Sequence, residues 1–156
     1  MKKYEFTGET KSYKGRTLHR IKALRDFRDV KAGDIGGWIE KKKNLSQKGD
    51  CWVYTDAKIY GNAKIGGNTK VYGDAKVYSD AEIKTTNDYI IIGPIGSRND
   101  VTTAFKTTTG VKIKCGCFYR SIEEFESKVR KTHGSNQYAK EYLAFAKLLK
   151  IRFGEE

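Results

Sequence analysis

At 156 residues, 38% of them hydrophobic and 32% charged, the chain is long enough for one domain or two small ones that fold without staples. Its three cysteines, Cys51, Cys115 and Cys117, are an odd number at no structural-zinc spacing, which argues against both a disulfide framework and a closed four-ligand metal site. No apolar run reaches the roughly eighteen residues of a membrane span, and the start "MKKYEFTGETKSYKG" lacks the apolar core of a signal peptide, so a soluble, cytoplasmic chain is expected.

The net charge is +12, and its placement is uneven. Residues 1–46 carry 13 basic side chains against 6 acidic ones, residues 47–83 carry 5 of each, and residues 84–156 carry 13 against 8. The excess lies in the flanks, where it favours anionic partners.

In chain order, "KKYEF" and "RTLHRIKAL" read as strands separated by the turn-rich "TGETKSYKG", a hairpin pattern. The segment from Val30 follows, with Gly33, Gly36 and Gly37 permitting sharp turns, and with Trp38 and Ile39 offering an apolar cap for whatever comes next. Residues 47–83 then repeat every six: QKGDCW, VYTDAK, IYGNAK, IGGNTK, VYGDAK and VYSDAE, with Ile83 opening a seventh hexad. One position holds Val53, Ile59, Ile65, Val71 and Val77, and another holds Cys51, Ala57, Ala63, Thr69, Ala75 and Ala81. Runs such as Ala57 to Tyr60 alternate inward and outward like a short strand, and Gly-Asn or Gly-Asp supplies the corner. Short strands joined by corners every six residues wind into a coil.

After the repeat, strands are expected at 89–92, 101–107 and 111–118, the last two joined by a turn at Thr109 and Gly110. Ser121 with Glu124 is a capping-box pair that opens a helix along Ile122, Phe125 and Val129, ending at His133 and Gly134. Asn136 opens a second helix with Tyr138, Tyr142, Phe145 and Leu149 at helical spacing.

The unbroken hexads resemble the hexapeptide-repeat left-handed β-helix, in which three hexads make one triangular coil. The expected fold is mainly β with α: a short hexapeptide-repeat left-handed β-helix at 47–85, an N-terminal β hairpin and cap at 1–46, and a C-terminal βββαα unit at 86–156. The larger pattern of basic arm, "VYGDAK" hexads and "GPIGSRND" with "CGCF" resembles small hexapeptide-repeat proteins of phages and prophages. That resemblance implies an anti-defence binding protein and carries no site residues.

Two surfaces attract attention. With three hexads per coil, Lys58 stacks on Lys76, Tyr54 on Tyr72 and Tyr60 on Tyr78, about 4.8 Å apart. A ladder of Lys58, Lys76, Tyr60 and Tyr78 offers cations to phosphates and rings to bases, although lysine and tyrosine also suit any exposed strand. The loop "GPIGSRND" offers backbone N–H groups together with Ser97, Arg98 and Asn99, and Arg120 can join either surface. An ordinary strand-closing loop explains the same residues, and the segment is not a P-loop.

Cys115 and Cys117 lack the partners of a metal site, so neither a metal nor a cofactor is expected. No Ser-His-Asp, paired-carboxylate or nucleophile-elbow pattern stands out, and the repeat contains no histidine. The expectation is therefore a non-enzymatic protein that sequesters a phosphate-bearing nucleotide in basic pockets of a homo-oligomer, a trimer by resemblance to other β-helices. The alternatives are a nucleic-acid binder, an inhibitor of a host defence protein, and a hexapeptide-repeat acyltransferase.

Overall fold

The computed structural model describes residues 2–154, which divide into two compact units meeting at Thr86 and Asn87. The first unit opens with an antiparallel hairpin, β1 (Tyr4–Tyr13) and β2 (Arg16–Ala23), followed by β3 (Ile35–Ile39). Six two-residue strands come next: β4 (Trp52–Val53), β5 (Lys58–Ile59), β6 (Lys64–Ile65), β7 (Lys70–Val71), β8 (Lys76–Val77) and β9 (Glu82–Ile83).

Their pairing is that of a β-helix. Each short strand bonds in parallel to the strand three hexads on, β4 to β7, β5 to β8 and β6 to β9, with Val53 opposite Val71, Ile59 opposite Val77 and Ile65 opposite Ile83. The aliphatic residues point inward and are essentially unexposed, as are Cys51, Ala57, Ala63, Thr69, Ala75 and Ala81. A large and a small side chain per hexad fill the interior because successive strand residues face opposite sides. The expected ring stacks form: Tyr54 and Tyr72 lie 4.7 Å apart, and Tyr60 and Tyr78 lie 4.9 Å apart.

The corners need glycine where one coil sits against the next. Gly61 has φ +65°, and a Cβ there would lie 2.9 Å from the backbone nitrogen of Ser79.

The coil begins earlier than the hexad count predicts. Trp38 and Ile39 are not a cap but a rung, since β3 pairs in parallel with β5 and Leu45 bridges to Ile65. The surplus of chain that hides this register falls between Leu45 and Val53, in the corner holding Gly49 (φ +70°). β1, β2, β3, β5 and β8 consequently form one five-stranded sheet, in which the hairpin extends a face of the coil. β1 also runs straight through the segment expected to turn, because Gly8 (φ +96°) is absorbed where the register shifts between Phe6 and Thr10. The turn itself is only Lys14 and Gly15.

The cap is built from residues the sequence does not single out. Lys3 is fully buried, and its ammonium donates to the Cys51 carbonyl at 2.6 Å and to that of Gly49 at 3.4 Å, with the Cys51 sulfur 3.1 Å away. Gln47 accepts from the backbone N–H of Lys3 at 2.7 Å and of Tyr4 at 3.2 Å. These bonds satisfy backbone groups that an open coil end leaves unpaired. Burial is the main cause holding the Lys3 pKa below its ordinary value.

In the second unit β10 (Tyr89–Ile95), β11 (Asp100–Thr107), β12 (Gly110–Cys115) and β13 (Phe118–Arg120) form an antiparallel sheet in sequence order. The third expected strand is thus two, split by a hairpin at Gly116 and Cys117, where Gly116 takes φ +60°. Two helices follow, α1 (Ile122–His133) and α2 (Gln137–Phe153). Ser121 and Glu124 make the capping box, and the Asn136 side chain accepts from Ala139 N–H at 3.0 Å. Ile113, Phe125, Val129, Tyr142, Phe145 and Leu149 share a core, whereas Tyr138 is exposed rather than packed.

Candidate functional site

The outward positions of the coil decide what its faces can do. On the face that the hairpin extends, Leu18, Trp38 and Tyr60 pack together, with Tyr13 and Tyr78 against them. Lys11 lies 4.4 Å and Arg20 4.8 Å from the Trp38 ring, Arg16 lies 5.5 Å from Tyr60, and Lys58 lies 5.4 Å from Tyr13. Arg16 also pairs with Glu40 at 2.8 Å, and the same carboxylate oxygen accepts from Gly61 N–H at 2.8 Å. Burial pushes the Glu40 carboxyl up, but the Gly61 N–H and Arg16 more than offset it and hold its pKa below the ordinary value.

Lys58 and Tyr60 therefore sit in a packed patch of cations on rings, with Lys76 and Tyr78 one coil on. Burial and then repulsion from Lys11 and Lys76 lower the Lys58 pKa, and burial raises that of Tyr60. On a second face Tyr54 donates to Asp29 at 2.9 Å, and Lys70 pairs with the same carboxylate at 3.3 Å.

The third face is different. Where the hexads place Tyr54, Tyr60, Tyr72 and Tyr78, this face has Gly66, from the one hexad reading IGGNTK. A Cβ at Gly66 would meet nothing within 4 Å, and its backbone does not need glycine. Here lies a groove of about 520 Å³, with Leu45, Ile65 and Ile83 along it and Lys42, Lys43, Lys64, Lys84 and Glu82 around it. Four lysines and one glutamate surround it, while the three aliphatic side chains beneath are essentially unexposed.

Asn44 holds one wall in place. It is fully buried, its side-chain oxygen accepts from the N–H groups of Glu40 at 3.1 Å and Lys41 at 2.8 Å, and its nitrogen donates to the carbonyls of Gly61 at 3.2 Å and Ala63 at 2.9 Å.

A second hollow of about 410 Å³, lined by Lys2, Tyr4, Glu5 and Phe6, shares Lys42 and Gln47 with the groove. Phe6 stacks on His19 with centroids 4.3 Å apart, and the Lys42 ammonium lies 5.9 Å from the same Phe6 ring. His19 is half-buried on β2, directly opposite Ile39 of the first coil. In the sequence Gly66 shows only as a break in the tyrosine pattern of the hexads, and nothing in it places His19 beside the first coil.

The other expected residues lie in the second unit. Ser97 and Arg98 line a cleft with Tyr142 and His133, whereas Asn99 (φ +47°) is exposed in the turn. Arg120 lies in a neighbouring hollow and approaches Glu124 at 3.8 Å. Among the described residues no group of three His, Cys, Asp or Glu side chains is placed to hold a metal ion, and no helix is long and apolar enough to cross a membrane.

Fold and groove together define a hexapeptide-repeat β-helix protein with a cationic channel along one coil face. No family model matches the chain. It is 39% identical over 62 residues to a protein of Escherichia coli (strain K12) named as the uncharacterized acetyltransferase YdcK, a match taking in 35% of this chain and 19% of that protein. The chain therefore spans about a fifth of the length of the relative it matches. This likeness corrects the expectation of a non-enzymatic protein, because the similar protein is named as an enzyme. The expectation rested on the absence of a Ser-His-Asp, paired-carboxylate or nucleophile-elbow pattern and of a histidine in the repeat. The likeness lends nothing to the phage-type, anti-defence or nucleotide-sequestering readings.

Proposed function

We propose that this chain is an acyltransferase-type β-helix protein whose groove beside Gly66 holds an acyl thioester donor. The observation that carries the reading is the single tyrosine-free face, a groove rimmed by Lys42, Lys43, Lys64 and Lys84. A donor such as acetyl-CoA joins a slender pantetheine arm to a phosphate-rich nucleotide; the open space at Gly66 leaves room for the arm, and the lysine rim suits the phosphates. This keeps a nucleotide phosphate as the anionic partner and makes it part of a substrate.

The proposed general base is His19, which stacks on Phe6, a lining residue of the hollow that shares Lys42 and Gln47 with the groove. Its imidazole takes the proton of an acceptor hydroxyl or amine, the freed electron pair attacks the thioester carbonyl, the carbon–sulfur bond breaks, and the departing thiolate takes up a proton. We further propose that copies associate through the coils as a trimer, which would close the groove with a neighbouring surface.

The test is thermal unfolding with acetyl-CoA, followed by acetyl transfer to a panel of amines and sugar hydroxyls, on wild type, Gly66→Tyr and His19→Gln. Gly66→Tyr restores the residue of the other faces and has room to do so, so it should fold normally and lose the acetyl-CoA shift. His19→Gln should keep the shift and lose transfer. A wild-type chain that acetyl-CoA does not stabilise, or a Gly66→Tyr chain that it stabilises equally, overturns the assignment.

A further inference from the structure

We infer that the second unit carries its own ligand site, a cleft for a small aromatic phosphate monoester, independent of the groove in the coil. The cleft has a volume of about 250 Å³ and lies between the 93–100 loop, the β12–β13 hairpin and the two helices. That is below the common range of about 300–1,000 Å³ for ligand pockets, which limits the occupant to a small molecule.

Its walls divide by chemistry. Phe118, Phe125, Val129 and Tyr142 make the apolar side, while Arg98 and Lys128 bring two fixed positive charges. No carboxylate lines it; Glu141 of α2, next to Tyr142, accepts from the Gly96 N–H at 2.9 Å and from Gln137 at 3.3 Å. A doubly charged head on a flat apolar body balances both sides, and a phosphate monoester of an aromatic ring has that composition.

Two glycines shape the cleft for this use. At Gly116 a Cβ would lie 2.7 Å from Arg98 Nε, so the guanidinium rests in the space that a side chain would fill, and the left-handed φ of +60° makes glycine the fitting residue. At Gly96 (φ +70°) a Cβ would run into the Tyr142 ring, so loop and ring close against each other. The Tyr142 hydroxyl thereby lies by Cys115, Ser97 and the backbone of Arg98, and His133 packs on the same ring at 5.9 Å. Lys114 steadies the hairpin beneath, its ammonium donating to the Gly116 carbonyl at 2.6 Å. Arg98, Lys128 and Ser97 thus line one cleft with Phe118, Phe125 and Tyr142, bringing donors and rings together.

Phenyl phosphate is the probe, followed on the whole chain by heteronuclear NMR, with inorganic phosphate and benzyl alcohol as half-probes. Saturable shifts are expected at 97–98, 115–118, 128–133 and 142, with no change in the coil, and either half-probe should bind at least about tenfold more weakly. Arg98→Ala, an exposed position that should leave the fold intact, is expected to weaken phenyl phosphate about tenfold or more, with Arg98→Lys in between. Absence of saturable shifts at millimolar probe, equal binding of inorganic phosphate alone, or unchanged binding by Arg98→Ala would each overturn the site. Loss of acetyl-CoA binding in Gly66→Tyr leaves this result untouched, so the two assignments fail separately.

Discussion

Asn44 is the residue on which the coil's first turn and the wall of its groove both depend, and its replacement by alanine has a calculable cost. The side chain spends both acceptor and both donor capacities on four backbone groups, two before the turn and two in the corner at Gly61 and Ala63. At about 1 kcal/mol net for each hydrogen bond, the loss is about 4 kcal/mol, and more where water cannot reach the orphaned groups. Stabilities of single domains lie at about 5–15 kcal/mol, so this is a large fraction of the total. For a unit of this size each kcal/mol moves Tm by about 4–8 °C, which places the drop near 20 °C or beyond.

Urea and thermal melts by circular dichroism read it directly. Asn62→Ala, at an exposed corner where the side chain accepts only from Lys41 at 3.4 Å, is the control and should change stability by less than about 0.5 kcal/mol. Asn44→Asp should fare no better than alanine at neutral pH, since it keeps the acceptors, loses the donors and buries a charge. An Asn44→Ala protein within about 1 kcal/mol of wild type would refute the reasoning, because it would mean that these four bonds carry none of the coil's closure.

Lys3 makes the coil's stability depend on alkaline pH. Its folded pKa lies below the ordinary 10.5, so between those two values the unfolded chain holds the proton that the folded chain has released, and stability rises with pH across that window. Tyr4 and Tyr60, held above their ordinary 10.0 mainly by burial, act oppositely: above about pH 10 the unfolded chain loses protons that the folded one keeps, and stability falls. Urea midpoints from neutral to strongly alkaline pH should therefore pass through a maximum, and Lys3→Met should flatten its rising limb. Gly61→Ala should cost about 1–2 kcal/mol in a urea melt, since it places a Cβ at left-handed φ against the next coil.

Much of the coil was legible because six-residue spacing has a direct physical meaning: Ile59 cannot stack on Val77 unless the chain returns after three hexads. The rung at Trp38 and Ile39 was hidden because the longer corner before Val53 breaks the count while the pairing persists. Glycine misled twice, at Gly8, where a strand absorbed it, and at Gly116, where a strand ended at it. Of the candidate residues, Lys58 and Tyr60 occupy outward positions of the coil, but a sequence does not show the hairpin that packs over them. Arg98 was legible as a candidate, whereas Lys128, His133 and Tyr142, which line the same cleft, come from helices and meet it only through tertiary packing.

The parallel pairing of β5 with β8 and of β6 with β9 gives the molecule a unit of growth. Three further hexads spliced in after Val77 would form one more storey, keep every inward residue inward, and continue each face in the same chemistry. The length of each coil face is then a matter of how many storeys are stacked, and it can change without redesigning a single corner.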